Sequence, residues 1–171
     1  MTDRRPPSGA EPEPTLSHVD AQGRASMVDV GDKPSTERTA SAQAVVQMQP
    51  ETLRLIVEGR VEKGDVLTVA RLAGISAAKR TWDLIPLAHQ VPLAHVGVEF
   101  ESGTSAGTIT ITASARTVAG TGVEMEALTA ASLAALTIYD MCKAVDRGMV
   151  IGAVKLLEKQ GGQRGDYVAE R

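Results

Sequence analysis

From Arg38 to Met48 small and apolar side chains alternate with polar ones. Ala42, Ala44, Val46 and Met48 fall on one side, and Ser41, Gln43 and Gln47 on the other. A period of two marks a strand with one buried face, and only Val45 breaks it. The period then changes. Pro50 at a helix start and Gly59 after the last turn bracket a short helix carrying Leu53, Ile56 and Val57 along one side. Asp65, in KGDV (63–66), is placed to cap a second helix that runs to about Leu84, with an interruption expected at Gly74. Pro86 has no N–H and pushes Ile85 toward extended geometry, so the helix should stop near Leu84 and leave His89 in a stiff connection. Val96, Val98 and Phe100 alternate with His95, Gly97 and Glu99. Ile109, Ile111, Ala113 and Ala115 alternate with threonines and Ser114, which predicts an antiparallel hairpin turning through residues 102–107. The longest helical pattern opens at GTGVEMEALTAAS (120–132). Leu128, Ala131, Ala135, Ile138, Cys142 and Val145 recur at steps of three and four, Gly148 closes the run, and a last strand spans Val150 to Leu157.

The order is strand, helical region, two strands, helix, strand. It predicts an α+β, ferredoxin-like sandwich with one four-stranded antiparallel sheet and helices on a single face. Pro6, Pro7, Pro12 and Pro14 among charges make residues 1–15 a disordered lead-in. One domain covers 16–160, and the glycine-rich segment 161–171 reads as a mobile tail. Within the domain, SMVDV (26–30) fits either an edge strand or an extended arm.

Composition narrows the function classes. With 18 Lys and Arg against 21 Asp and Glu the formal charge is −3, so the protein as a whole is no general polyanion binder, although a local basic pocket is compatible with it. The aromatics are Trp82, Phe100, Tyr139 and Tyr167, too few for a base-stacking surface. A lone cysteine, Cys142, fits a cytosolic, reducing setting, and no apolar run approaches the roughly 18 residues of a membrane span.

Several side chains are candidates for chemistry, each with a plainer alternative. KRTWDLIPLAHQ (79–90) packs two cations, a carboxylate and His89 into a short stretch, which suits an anionic substrate or merely a capped helix end. Asp140 and Lys143 are three apart on the long helix, a surface ion pair unless partly buried, in which case they can exchange protons. Partial burial is expected from Tyr139 and the apolar residues around them. Glu124 and Glu126 in the first turn of that helix are favourable to its dipole; Glu126 could also accept from an amine or guanidine-like ring edge. Fourteen residues, or about 21 Å of helix, separate Glu126 from Asp140, so a ligand touching both needs a second subunit. Cations at Lys63, Lys79, Arg80, Lys143, Lys155 and Lys159 serve solubility unless they converge on phosphates. There is neither a phosphate loop of Walker type nor a zinc-ligand spacing.

Together KGDV (63–66), KRTWDLIPLAH (79–89), GTGVEMEALTAAS (120–132) and LTIYDMCKAV (136–145) resemble the cyclic pyranopterin monophosphate synthase (MoaC) family of molybdenum cofactor biosynthesis, over about Leu16 to Asp166. The resemblance implies a ferredoxin-like lyase assembled as a homohexamer, a trimer of dimers, with sites at subunit interfaces. It implies conversion of 3′,8-cyclo-7,8-dihydro-GTP, supplied by an upstream radical enzyme, into cyclic pyranopterin monophosphate with release of pyrophosphate. Carried over residue by residue, Asp140 is the catalytic acid/base and Lys143 its neighbour in the site, while Lys63, counted with the catalytic set, matches a conserved-motif lysine of the pocket. Leu87, Ala88, His89, Met125 and Glu126 match substrate-contacting segments, joined by Glu124 and Lys79, while Arg38 and Lys159 match more weakly. No cofactor is implied beyond Mg²⁺ as a companion of the triphosphate, and neither nucleic acid nor membrane is a partner. Many relatives have Leu-Cys-His-Pro where this chain has Leu87-Ala88-His89-Gln90, so a thiol there is not needed. The rival reading is a binding module that holds a nucleotide without changing it.

Overall fold

The computed structural model describes residues 22–103, 107–162 and 165–170. The expected disordered lead-in, residues 1–15, lies outside them. Strand β1 (Thr36–Gln47) is followed by helices α1 (Pro50–Val57), α2 (Val66–Ala78) and α3 (Thr81–Leu84). Strands β2 (Leu93–Gly103) and β3 (Thr108–Ala119), helix α4 (Glu124–Cys142), and strands β4 (Val150–Gln160) and β5 (Tyr167–Val168) complete the chain. Across the sheet the order is β2-β3-β1-β4-β5, with every neighbouring pair antiparallel. Each helical connection hops over one strand: α1 to α3 carry the chain from β1 past β3 to β2, and α4 carries it from β3 past β1 to β4.

The alternation in β1 sets the layers. Ala40, Ala42, Ala44 and Val46 are buried, and against them lie Ile109, Ile111, Ala113 and Ala115 of β3. Helix α4 covers this face with a run of fully buried alanines at 127, 130, 131, 134 and 135. Side chains this small let helix and sheet approach closely, and burial of the whole apolar set at roughly 25 cal/mol per Å² drives the docking. Helix α2 lies beside α4. A Cβ on Gly74 would come within 2.9 Å of the Ala130 carbonyl oxygen, so only glycine allows this spacing.

Gly74 therefore does not interrupt the helix, contrary to the local expectation. Helix α2 continues through it, and the break comes at Lys79 and Arg80, before the single turn of α3. The start is as predicted: the Asp65 carboxylate accepts from the Thr68 N–H at 3.0 Å. So is the stop, since Ile85 is extended ahead of Pro86. The sheet has five strands where four were expected. Tyr167–Val168 returns from the segment read as a tail and pairs with Glu158 and Lys159, and two residues carry no periodicity by which a strand could be read. Residues 26–30 form no strand ladder and lie as an extended arm.

Candidate active site

The two ends of α4 open onto two different clusters of charge. At the N-terminal end a cavity of about 570 Å³ is bounded by the arm (Val28, Val30, Lys33), the start of β1 (Arg38, Thr39), the 87–91 connection, the first turn of α4 and the end of β4. Leu87, Ala88, His89, Met125, Glu126, Glu124, Lys159 and Arg38, all expected from sequence, line it together. Lys33 and four glycines, Gly120, Gly122, Gly161 and Gly162, join them and were not expected. The signal for Lys33 was absent, because it lies on an arm without periodicity. The glycines were visible in sequence but match no known phosphate-binding spacing.

Several polar groups here are held. The stiff turn after Pro86 aims His89 at the arm, and its Nε2–H donates to the Val28 carbonyl at 2.7 Å. A carbonyl can only accept, so the proton sits on Nε2 and in the neutral ring Nδ1 carries the lone pair. Arg38 is buried with its Nε–H directed at the Ala119 carbonyl at 3.3 Å. Lys159 and Glu124 form an ion pair at 3.5 Å, joining the end of β4 to the start of α4. Glu126 is only 4% exposed, and burial, reinforced by the Glu124 charge, pushes its carboxyl up to about 7. Its own backbone N–H works against this and is outweighed. Such a carboxyl is poised to ionise when a ligand offers hydrogen-bond donors.

At the C-terminal end Asp140 bridges two ammonium groups. Lys143 Nζ donates to Oδ1 at 2.5 Å, and Lys63 Nζ reaches both the Asp140 carbonyl (2.8 Å) and Oδ2 (3.4 Å). Lys63, 77 residues away in sequence, arrives because α2 lies against α4 and the turn before Asp65 overhangs the helix end. The Lys143 hydrogen bond, then the Lys143 and Lys63 charges, hold Asp140 below the ordinary carboxylate range. Lys63, Tyr139, Lys143 and Arg147 line a shallow hollow of about 430 Å³. The expected partial burial is not found: the Asp140 side chain is 58% exposed and Lys143 51%. Tyr139 turns its hydroxyl to the Arg147 carbonyl at 3.3 Å and does not cover the pair.

Lys79 lies at the C-cap of α2, exposed and lining neither cavity. Asp146, which sequence gave no reason to single out, is buried and structural, accepting from Gln49 N–H (2.8 Å), the Thr52 hydroxyl (3.2 Å) and Gly148 N–H (3.0 Å). Cys142 is buried, and burial raises its thiol to about 11. Among the described residues no group of three or more His, Cys, Asp or Glu converges as metal ligands, and no helix is long and apolar enough to cross a membrane.

Comparison with known proteins bears on this arrangement. The family profile described as "MoaC family" matches residues 27–162. A Methylobacterium sp. (strain 4-46) protein named cyclic pyranopterin monophosphate synthase is 59% identical over 156 residues, covering 91% of this chain and 98% of the relative. Proteins of the same name from Geotalea uraniireducens (56% identical over 91% of this chain and 98% of the relative) and Herpetosiphon aurantiacus (60% over 89% and 93%) are similarly close. Every residue that lines either cavity falls inside the matched span. The chain belongs to the MoaC family.

Proposed function

We propose that the protein is a cyclic pyranopterin monophosphate synthase, a lyase that converts 3′,8-cyclo-7,8-dihydro-GTP to cyclic pyranopterin monophosphate and pyrophosphate in molybdenum cofactor biosynthesis. The observation that carries this reading is the mixture of partners in one cavity. Buried Glu126 offers an acceptor to a guanine-like donor edge, while Arg38, Lys33 and Lys159 offer positive charge to phosphate. A ligand with both features is a nucleotide, and a cavity of about 570 Å³ is of the size that holds one.

Chemistry then needs groups that move protons and neutralise a leaving pyrophosphate. Asp140, held ionised, accepts a proton; Lys143, in hydrogen-bond contact with it, supplies one; Nδ1 of His89 is a second acceptor. Cyclic phosphate forms when a substrate hydroxyl oxygen bonds to the α-phosphorus, its proton passes to an acceptor, and the bond to pyrophosphate breaks. Lys63 and Lys143 supply charge for that departure. Mg²⁺, if it enters, travels on the triphosphate, and no protein step is assigned to it.

One chain cannot bring both ends of α4 to a single small molecule, so a neighbouring subunit completes the site. Exposure of the Asp140 cluster on one chain is what such sharing requires. A homohexamer of three dimers, built on a ferredoxin-like β2-β3-β1-β4 core with β5 appended, is the assembly we assign, acting in the cytoplasm. The test is mass spectrometry of the purified protein incubated with the cyclised substrate. Cyclic pyranopterin monophosphate with equimolar pyrophosphate is expected, and an unchanged substrate mass would reduce the protein to a nucleotide binder.

A further inference from the structure

The cavity at the start of α4 is walled by glycines in a particular way. A Cβ built on Gly122 would overlap the Glu124 carboxylate, and one built on Gly162 would overlap the Arg38 guanidinium. In each case the space of a missing methyl is filled by the charged end of a side chain that faces the cavity. Gly122 has no left-handed backbone to explain it, whereas Gly162 has φ +94. Gly165 also has a positive φ, +71, but nothing lies within 4 Å of where its Cβ would be.

We propose that Gly122 and Gly162 are positioning residues for ligand binding, acting through Glu124 and Arg38 respectively. The folded-back Glu124 carboxylate is the partner of Lys159, so its position sets where that ammonium stands over the cavity. Arg38 is held by the Ala119 carbonyl, and its guanidinium occupies the space where a Cβ on Gly162 would stand. A methyl at either glycine meets only the flexible end of a side chain. At Gly122 it therefore displaces that charged end and leaves the backbone and core in place, which separates positioning from folding; at Gly162 it adds the strain of a positive φ, for which Gly165 serves as the control. This inference rests on the proposed nucleotide site and adds the residues that shape it.

The test uses full-length protein, with KM and kcat for the cyclised substrate, the Kd of GTP by calorimetry as a stable probe, and Tm as the control for folding. Gly122→Ala should keep its Tm within a few degrees while KM and the GTP Kd rise about tenfold and kcat changes less, as a small misplacement of a binding group predicts. In a Glu124→Ala background the same Gly122→Ala change should have no further effect. Gly162→Ala should weaken GTP binding well beyond Gly165→Ala, which imposes similar backbone strain without overlap. An unchanged KM and GTP Kd in Gly122→Ala, or an equal loss with Glu124 already removed, would overturn the proposal. So would equal losses in Gly162→Ala and Gly165→Ala. Wild-type protein that binds GTP but turns nothing over would instead count against the reaction, because the GTP cycle is read without turnover.

Discussion

The two ends of α4 share one helix and little else. At its start, charged groups are enclosed, held by backbone carbonyls and pressed against glycines. At its finish, a carboxylate and two lysines stand more than 45% exposed, the lysines lining a shallow hollow. Enclosure fixes shape and can select a ligand before any reaction. The exposed end has an ionised carboxylate and two ammonium groups but no walls, so alone it has little means to exclude water or hold a substrate. On the proposed reading, the contrast is that of a site divided between subunits.

The largest effect should come from the exposed end. Asp140→Asn keeps size and hydrogen bonding but removes the charge. Turnover should fall about 10³-fold with Tm and assembly unchanged, read by product mass spectrometry and light scattering. If the protein unfolds or dissociates instead, Asp140 is structural and the contrast between the ends loses its meaning.

Gly74→Ala probes what brings Lys63 to Asp140. A methyl against the Ala130 carbonyl must push α2 off α4, costing about 1–3 kcal/mol by urea denaturation. Turnover should fall as Lys63 withdraws. Unaltered stability would mean that helix spacing is not set at that glycine.

Glu126→Gln sharpens the enclosed end through pH. Burial raises the Glu126 carboxyl from 4.5 to about 7, so the folded protein holds its proton more tightly than the unfolded chain. Wild-type stability therefore falls as pH rises from about 4.5 to 7, and above that the full cost of burying the charge is felt. Glutamine escapes this cost. The variant should match wild type near pH 4.5 and exceed it at pH 8 by roughly 2 kcal/mol, allowing for water in the cavity. A gap of the opposite sign would show that the ionised form is stabilised by partners.

The smallest effect separates the inner from the outer side of the exposed end. Cys142, two residues from Asp140 but buried and raised to about 11, should resist iodoacetamide at pH 8 until urea is added. Labelling of folded protein would mean that the end of α4 frays.

What sequence reveals of this molecule follows the range of the forces involved. Alternation in β1, the hairpin of β2 and β3, the Asp65 cap and the stop before Pro86 are local, and all were legible. Gly74 was misread because its propensity cost is local while its reason, contact with Ala130, is not. Asp140 and Lys143 could be paired by helical spacing, but their exposure could not be read from the residues around them. Lys63 was matched to the pocket only through the family resemblance, and its contact with Asp140 was not foreseen, since 77 residues of chain carry no pattern linking the two. The glycine walls went unseen for the same reason: what occupies the absent methyl belongs to another part of the chain.

The central claim is that each working site takes the start of α4 from one subunit and its finish from another. Co-expressing Asp140→Asn and Glu126→Gln chains with different tags, and purifying the mixed assemblies, tests it most directly. Neither parent should turn over substrate appreciably, and random mixing should restore about one quarter of wild-type activity, because one site in four then draws both halves from unmutated ends. Mixed assemblies no more active than the two parents would contradict the account.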